Sequence, residues 1–481
     1  MSILDCPLPH GWKRAPVSEN YRITKKPRGR ALDPNAYVPF IPMELVPAGG
    51  QADCGYELRR PAAIASGTYF EAGDVLLSKI TPSFENGKQG VAINLPHAFG
   101  YGSTEIIPLQ ARTDDAINLY LFYLLLHHEV RSSLTSKMEG STGRKRVPEA
   151  AVRELEIPVP PKPEQEKIAA ILWKLQRAIA TQDRLIAAAG DLKQSTMQRL
   201  FTHGLRGEAL KDTEIGPMPE SWDVTTLGAI ATVSAGGTPS RSQPEYWKGG
   251  TIPWVKTGEV DYGVIEDTEE KITPLGLKSS AAKLLPKGTL LLAMYGQGIT
   301  RGKVAMLGID AATNQACAAV RPATDEVRTD FLFCTLAYGY ERLRGLAHGG
   351  QQQNLNADLI RGFTLGVPQD PDEQRDIATA LATIDRKLAH HRAKRAALDA
   401  LFQTTLHQLM TAEVRVTDLD IDVSDVLHQL PDAGKMVDQE TDATGVDHPV
   451  GANRMIGKPR GTQAVDHLAG VGKMVGSRRK R

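Results

Sequence analysis

The sequence predicts an α+β chain of two mixed α/β domains separated by two long antiparallel helices, which form a coiled coil with approximate two-fold symmetry. Three observations carry this expectation. First, a Pro-broken extended piece, a Glu-Gln pair and a long helical pattern occur twice. One copy is Ile157–Ala169 running on to Leu200; the other is Leu365–Ala378 running on to Leu409. A repeat with a period of about 209 residues describes architecture before it describes chemistry. Second, the segments ahead of these copies open alike, as Pro7-Leu-Pro-His-Gly-Trp12-Lys13 and Pro217-Met-Pro-Glu-Ser-Trp222-Asp223. Third, both helical patterns share one 4-3-4-3 seam in the same phase, the spacing of a coiled coil.

Taken in order, residues 1–157 form the first domain. Short runs rich in Val, Ile, Leu and Tyr, bounded by turn formers, read as strands at Tyr37–Pro42, Tyr69–Ile80, Val91–Leu95 and Glu105–Leu109. Residues 116–134 look helical, and a Gly/Ser/basic loop at 140–146 precedes the first spacer helix, 158–207. The second domain, 208–365, has strand signals at Thr251–Lys256, Thr289–Met294 and Ala316–Val320, helix signals at 329–344, and a Gly/Gln loop at 349–354. The second spacer helix covers 366–413.

In the first helix the seam runs Ile168, Leu172, Leu175, Ile179, Gln182, Ile186, Ala189, Lys193, Thr196, Leu200. In the second it runs Ile377, Leu381, Ile384, Leu388, His391, Arg395, Leu398, Phe402, Thr405, Leu409. Ile168, Leu172, Leu175, Ile179, Ile377, Leu381, Ile384 and Leu388 are the expected helix–helix and partner-docking positions. About 37 residues at 1.5 Å each give a rod of roughly 55 Å. With only a short linker at 201–213, the second helix must start near where the first ended, hence antiparallel. Pro163, Glu164, Pro371 and Glu373 suit helix first turns, where Pro forfeits no needed N–H and a carboxylate meets the positive helix end. The Glu-Gln pairs read as structural.

The 481 residues suit two to four domains. Net charge is +1, but residues 1–30 hold seven Lys/Arg against two acids, and Arg144-Lys-Arg146 is a second basic cluster. The tail, 414–481, reads as disordered and charged; its stretch 418–447 carries nine acids and 448–481 eight Lys/Arg. The four cysteines, Cys6, Cys54, Cys317 and Cys334, are too scattered for a metal knuckle or a disulfide framework, which points to a cytoplasmic setting. The longest apolar run, Leu119–Leu126, is far short of the roughly 20 residues of a membrane span.

No Walker A loop, HExxH or paired Cys/His set is present. Gly236-Gly-Thr-Pro and Gly296-Gln-Gly-Ile are better explained as tight turns, and His127-His128 and His390-His391 as isolated pairs on helical stretches. No metal site and no catalytic residue is expected.

The chain resembles the specificity (S) subunit of Type I restriction-modification enzymes. The domain–helix–domain–helix order, the Trp12 and Trp222 openings, the Pro-rich Glu-Gln helix starts and the loops at 140–146 and 349–354 all match. So do Gly73-Asp-Val-Leu, Ile80-Thr-Pro-Ser-Phe-Glu-Asn-Gly-Lys88 and Gly102-Ser-Thr-Glu105 in the first domain. The second domain matches at Gly236-Gly-Thr-Pro-Ser-Arg241, Tyr246-Trp-Lys-Gly-Gly, Ile252-Pro-Trp-Val-Lys256 and Thr313-Asn-Gln-Ala. The resemblance covers about residues 1–413 and does not extend to the tail.

It implies a non-catalytic subunit. Each domain would be a target recognition domain reading one half of a bipartite, asymmetric site in double-stranded DNA, with the helices setting the gap. The frame would dock methyltransferase (M) subunits, two of them, and through them restriction (R) subunits. No cofactor is expected on this chain; S-adenosylmethionine, ATP and Mg would belong to the partners. Arg reads guanine and Asn/Gln read adenine most informatively, so the candidate readers are loop residues. These are Lys79, Glu85, Asn86, Lys88, Arg144 and Lys145 in the first domain, and Arg241, Lys256, Gln297, Arg301, Lys303 and Gln351 to Gln353 in the second. Tyr246, Trp247 and Trp254 read as domain core. A scaffold whose end domains bind proteins, and an enzyme with a nuclease site built from scattered carboxylates, are the alternatives.

Overall fold

The computed structural model describes residues 3–29, 32–296, 299–347 and 354–424. They divide into two compact units, one built from residues up to 187 together with those from 390 onward, the other from residues 188–389. Each unit therefore contains part of both long helices.

Those helices are Lys162–His203 and Pro371–Met410, of 42 and 40 residues. All twenty seam positions are buried or half-buried, whereas Leu185 and Leu192, off the seam, are 40% and 55% exposed. In the first unit Ile168, Leu172 and Trp173 share a core with Phe402, Leu406 and Leu409. Gln182 Oε1 lies 2.9 Å from His391 Nδ1, and Arg395 Nε donates to Asp183 Oδ1 at 3.2 Å. In the second unit Leu200 and Phe201 share a core with Ile377 and Leu381, and Lys193 pairs with Asp385 at 2.6 Å. Within each unit the beginning of one helix lies against the end of the other, so the pair is antiparallel, with Gln182, His391, Arg395 and Lys193 of the seam bonded rather than buried bare.

The first helix ends at Gly204, whose φ of +64° turns the chain and whose N–H reaches Leu200 O at 3.0 Å. A Cβ there would lie 2.8 Å from Glu373 Oε1 and 2.9 Å from Pro219 Cγ, so only glycine closes this end.

The first unit carries two four-stranded sheets. One runs Tyr21–Ile23, Ile106–Ala111, Val75–Ser78, Gln89–Val91, antiparallel throughout. The other runs Glu57–Arg59, Val38–Ile41, Phe99–Gly102, Thr68–Glu71, with its middle pair parallel. The second unit repeats this order. Ala231–Ala235, Cys317–Pro322, Leu290–Ala293 and Val304–Leu307 form one sheet, extended by Val264–Ile265. Glu270–Ile272, Ile252–Val255 and Ala312–Thr313 form the other, again with a parallel pair. In each unit one further strand pair, Lys13–Pro16 with Glu156–Val159 and Trp222–Thr226 with Thr364–Pro368, joins the domain's opening to the piece before a long helix.

Three local expectations are corrected. The helical stretch at 116–134 is two helices, Asn118–Leu124 and His128–Ser136. His127 separates them, with ψ +131° and its ring accepting the Glu129 N–H. The run Tyr69–Ile80 is two strands, Thr68–Glu71 and Val75–Ser78, in different sheets. Of the expected tail, residues up to Ser424 are held on the first unit: Val416 is 1% exposed, and Lys167 and Lys174 donate to the carbonyls of Thr417 and Asp422 at 2.7 and 3.1 Å. The remainder, 425–481, lies outside the described residues. The apolar run Leu119–Leu125 is short and buried on all sides, and among the described residues no helix is long and apolar enough to cross a membrane.

Candidate nucleic-acid interface

The two Glu-Gln pairs fasten each domain to its helices. Gln165 accepts the Ile117 N–H at 3.1 Å and donates to Asp115 O and Pro160 O at 3.0 and 2.8 Å. Gln374 repeats this, accepting from Arg328 N at 2.9 Å and donating to Glu326 O and Pro368 O at 2.9 and 3.0 Å. A glutamine suits the task because it offers a donor and an acceptor on one buried head. Glu164, 2% exposed, accepts Trp12 Nε1 at 2.8 Å and Arg415 Nε and NH2 at 2.7 and 3.0 Å. Glu373 accepts the Leu205 N–H at 3.0 Å and sits 3.6 Å from Arg206 Nε. Each glutamate at a helix start thus holds the arginine just past the end of the other helix. Each domain is thereby hydrogen-bonded to the helix ends on which it packs.

In the first unit the structure brings most of the candidate readers together. Lys79 N donates to Glu105 O at 2.9 Å, Thr81 N to Lys145 O at 2.9 Å, and Val147 N to Lys79 O at 2.8 Å. The loop at 79–88 is thereby stitched to the loop at 139–147. Arg146 grips Glu105 in a two-pronged bond, NH2 to Oε1 at 2.7 Å and Nε to Oε2 at 2.9 Å. That hydrogen bond, with the Arg146 charge, holds the Glu105 carboxyl below the usual carboxylate range. Glu85, Asn86, Arg144 and Lys145 are exposed, and Lys79 and Lys88 half-buried. Lys88 Nζ donates to Met43 O at 2.8 Å. Arg131, which sequence reasoning missed, supports this loop from within. It lies 4.7 Å from the Phe84 ring and donates to Leu125 O at 3.0 Å, and burial pulls its pKa down to about 10.

In the second unit the candidates separate into two places. Arg301 and Lys303 lie on the turn between Leu290–Ala293 and Val304–Leu307, the counterpart of the 79–88 loop. Leu355 N donates to Met294 O at 3.0 Å, as Val147 does to Lys79. Lys303 lies in the loop as expected of a candidate reader, but it is 6% exposed and its Nζ is held by Asp261 Oδ1 at 2.7 Å. Gln297, Gln351, Gln352 and Gln353 lie outside the described residues.

Arg241, on the loop after Ala231–Ala235, and Lys256, just past Ile252–Val255, lie beside the second sheet, where the glycine, tryptophan and Thr-Asn-Gln motifs converge. A Cβ on Gly236 would fall 2.3 Å from the carbonyls of Thr313 and Asn314, which explains the glycine there. Trp254 Nε1 donates to Gly237 O at 3.0 Å, and Thr257 Oγ1 to Asn314 Oδ1 at 3.1 Å. Thr238 is hydrogen-bonded to Gln315. Trp254 is buried and meets the half-buried Trp247 edge-on at 5.0 Å, in line with a core role. Lys256 is bonded to Glu269 and lies 3.5 Å from Glu270. Burial works against the ionised Glu270, but the Arg241 bond and the two cations outweigh it and hold the carboxyl below its usual range. Among the described residues no group of three His, Cys, Asp or Glu side chains could hold a metal ion.

Two units of one strand order, each packed on its own part of both long helices and differing in their loops, define a duplicated architecture. The family model described as the type I restriction modification DNA specificity domain matches residues 32–189 and again 219–400. The chain belongs to that family. It is 27% identical over 339 residues to the type I restriction enzyme MjaVIII specificity subunit of Methanocaldococcus jannaschii, covering 67% of this chain and 76% of that one. It is 23% identical over 348 residues to the putative MjaX specificity subunit of the same organism, covering 72% and 79%. Its fold is similar to that of the S subunit of a type I restriction-modification system from M. genitalium, with a TM-score of 0.55 at 15% identity, spanning 83% of this chain and 96% of that one.

Proposed function

We propose that this chain selects the DNA sequence on which a type I restriction-modification complex acts, each unit reading one half of a bipartite, asymmetric site. The long helices set the gap between the halves and dock methyltransferase subunits, two per chain, and through them restriction subunits. S-adenosylmethionine, ATP and Mg are used by those partners, and this chain contributes recognition without chemistry of its own. The observation that carries the reading is the repetition of one sheet order in two units whose loops differ in sequence. A common plan with different loop contents suits two readers of different half-sites. Basic loops supported on rigid elements supply phosphate anchors together with base-edge donors.

The test is to express the chain with its methyltransferase partner in a host lacking adenine methylation and to map the methylated adenines. A two-part motif with a fixed gap is expected. A stable complex that methylates nothing, or methylates without a bipartite motif, contradicts the reading.

A further inference from the structure

The second sheets of the two units share one arrangement that their sequences do not share. In the first unit Phe40, on the central strand, lies opposite Glu57 on the edge strand; in the second, Trp254 lies opposite Glu270. Directly opposed residues on antiparallel strands project to the same face. In both units that glutamate holds an arginine against the aromatic side chains. Arg59 bonds Glu57 Oε2 through NH2 at 2.7 Å and Nε at 3.0 Å, and its guanidinium lies 3.9 Å from the centre of the Phe40 ring. Arg241 NH1 bonds Glu270 Oε2 at 2.6 Å, and its guanidinium lies 3.6 Å from the Trp247 ring and 5.1 Å from that of Trp254.

The two arginines arrive by different routes, Arg59 along the edge strand itself and Arg241 from the loop after Ala231–Ala235. A shared position reached from different parts of the chain points to a shared task. Both side chains stay accessible, at 33% and 53% exposure. Their described bonds to the glutamates take two of the five N–H donors of Arg59 and one of those of Arg241. A carboxylate behind and a ring beneath fix a planar guanidinium before any ligand arrives, which lowers the ordering cost of a two-pronged hydrogen bond. An exposed ion pair alone adds little stability, so stability is a weak reason for two such devices.

We propose that Arg59 and Arg241 are specificity-determining residues, each reading a guanine edge in the half-site of its own unit. The inference rests on the DNA-reading function proposed above. Guanine is the base whose O6 and N7 acceptors match the paired donors of an arginine.

The test uses the full chain in its methyltransferase complex, with methylated adenines mapped for the wild type, Arg59→Ala, Arg59→Met, Arg241→Ala and Arg241→Met. The Met variants keep a stem over the ring if Ala disturbs folding. Preference for guanine is expected to fall by about ten- to a hundredfold at one position of one half-site for the Arg59 variants, and of the other half-site for the Arg241 variants. A wild type that yields no bipartite motif removes the underlying function and this inference with it. A wild-type motif kept unrelaxed in the variants, or methylated uniformly less at every site, overturns the assignment of these arginines alone.

Discussion

Glu164 serves a tryptophan and an arginine at once, and its removal strands both. In Glu164→Ala the indole N–H of Trp12, in a residue 8% exposed, loses its acceptor. A cost of about 1–3 kcal/mol is expected for such a buried donor, read as a lowered urea midpoint for the first unit. Glu373→Ala should cost less, because the described acceptors leave the indole N–H of Trp222 without a partner already. Equal losses would contradict this asymmetry. Two other buried groups of the first unit titrate against each other. Burial pushes Asp74 up to about 7, and burial followed by the charge of His128 brings His127 down to about 4. Between about pH 4 and 7 folded Asp74 keeps a proton that the unfolded chain has released, so its contribution to stability falls as pH rises. Between about pH 4 and 6.5 folded His127 lacks a proton that the unfolded chain holds, so its contribution rises with pH. The two slopes offset in the wild type. Asp74→Asn should leave stability rising over that window and His127→Gln should leave it falling, as read from urea midpoints at pH 4.5 and 6.5. An unchanged slope in both variants would count against the offset.

At the scale of elements, the seam divides the apolar residues of the long helices into structural and dispensable ones. Leu172→Ala and Leu381→Ala, at positions 0% and 1% exposed, should each cost about 2–5 kcal/mol. Leu192→Ala, at 55% exposure, should change stability by no more than about 0.5 kcal/mol. Denaturant midpoints of the three variants check the contrast. The helices were legible because a 4-3-4-3 pattern in matched phase is a property of sequence alone, and so were the motif loops, bounded by Gly and Pro. The shared strand order was not legible, because a sheet records burial and register rather than residue identity: Phe40 stands where Trp254 stands, and Tyr101 where Ala312 does. Arg59 was missed for a related reason. Its glutamate is two residues away, but the ring it covers is on a strand well upstream, and only the pairing of Val38–Ile41 with Glu57–Arg59 brings them together. Lys303 shows the converse, since nothing in the local sequence signals that Asp261 will draw it inward.

At the scale of the whole molecule, the helices make the proposed gap an adjustable quantity. Adding one heptad to the first helix near Ala187–Gly190, matched by one near Ala389 in the second to keep the seams in phase, lengthens the pair by about 10 Å, or roughly three base pairs. Methylation mapping should then return both half-sites unchanged with a wider gap; altered half-site sequences would contradict a spacing role. The composition of the two units also predicts an order in which they are completed. The second unit draws its described residues from one continuous stretch, 188–389, whereas the first is closed by residues from 390 onward. Phe402, Leu406, Leu409, Met410 and Val416 complete a core begun by Ile3 and Trp12. Domains commonly fold as they leave the ribosome, N-terminal parts first, and the division of this chain predicts the reverse. A chain stopped after Ala389 should yield a protease-resistant second unit and a readily digested first one, and equal resistance would contradict the reversal. On that order the domain synthesised first would be the last to be finished, its core incomplete until Phe402, Leu406, Leu409 and Met410 of the final helix arrive.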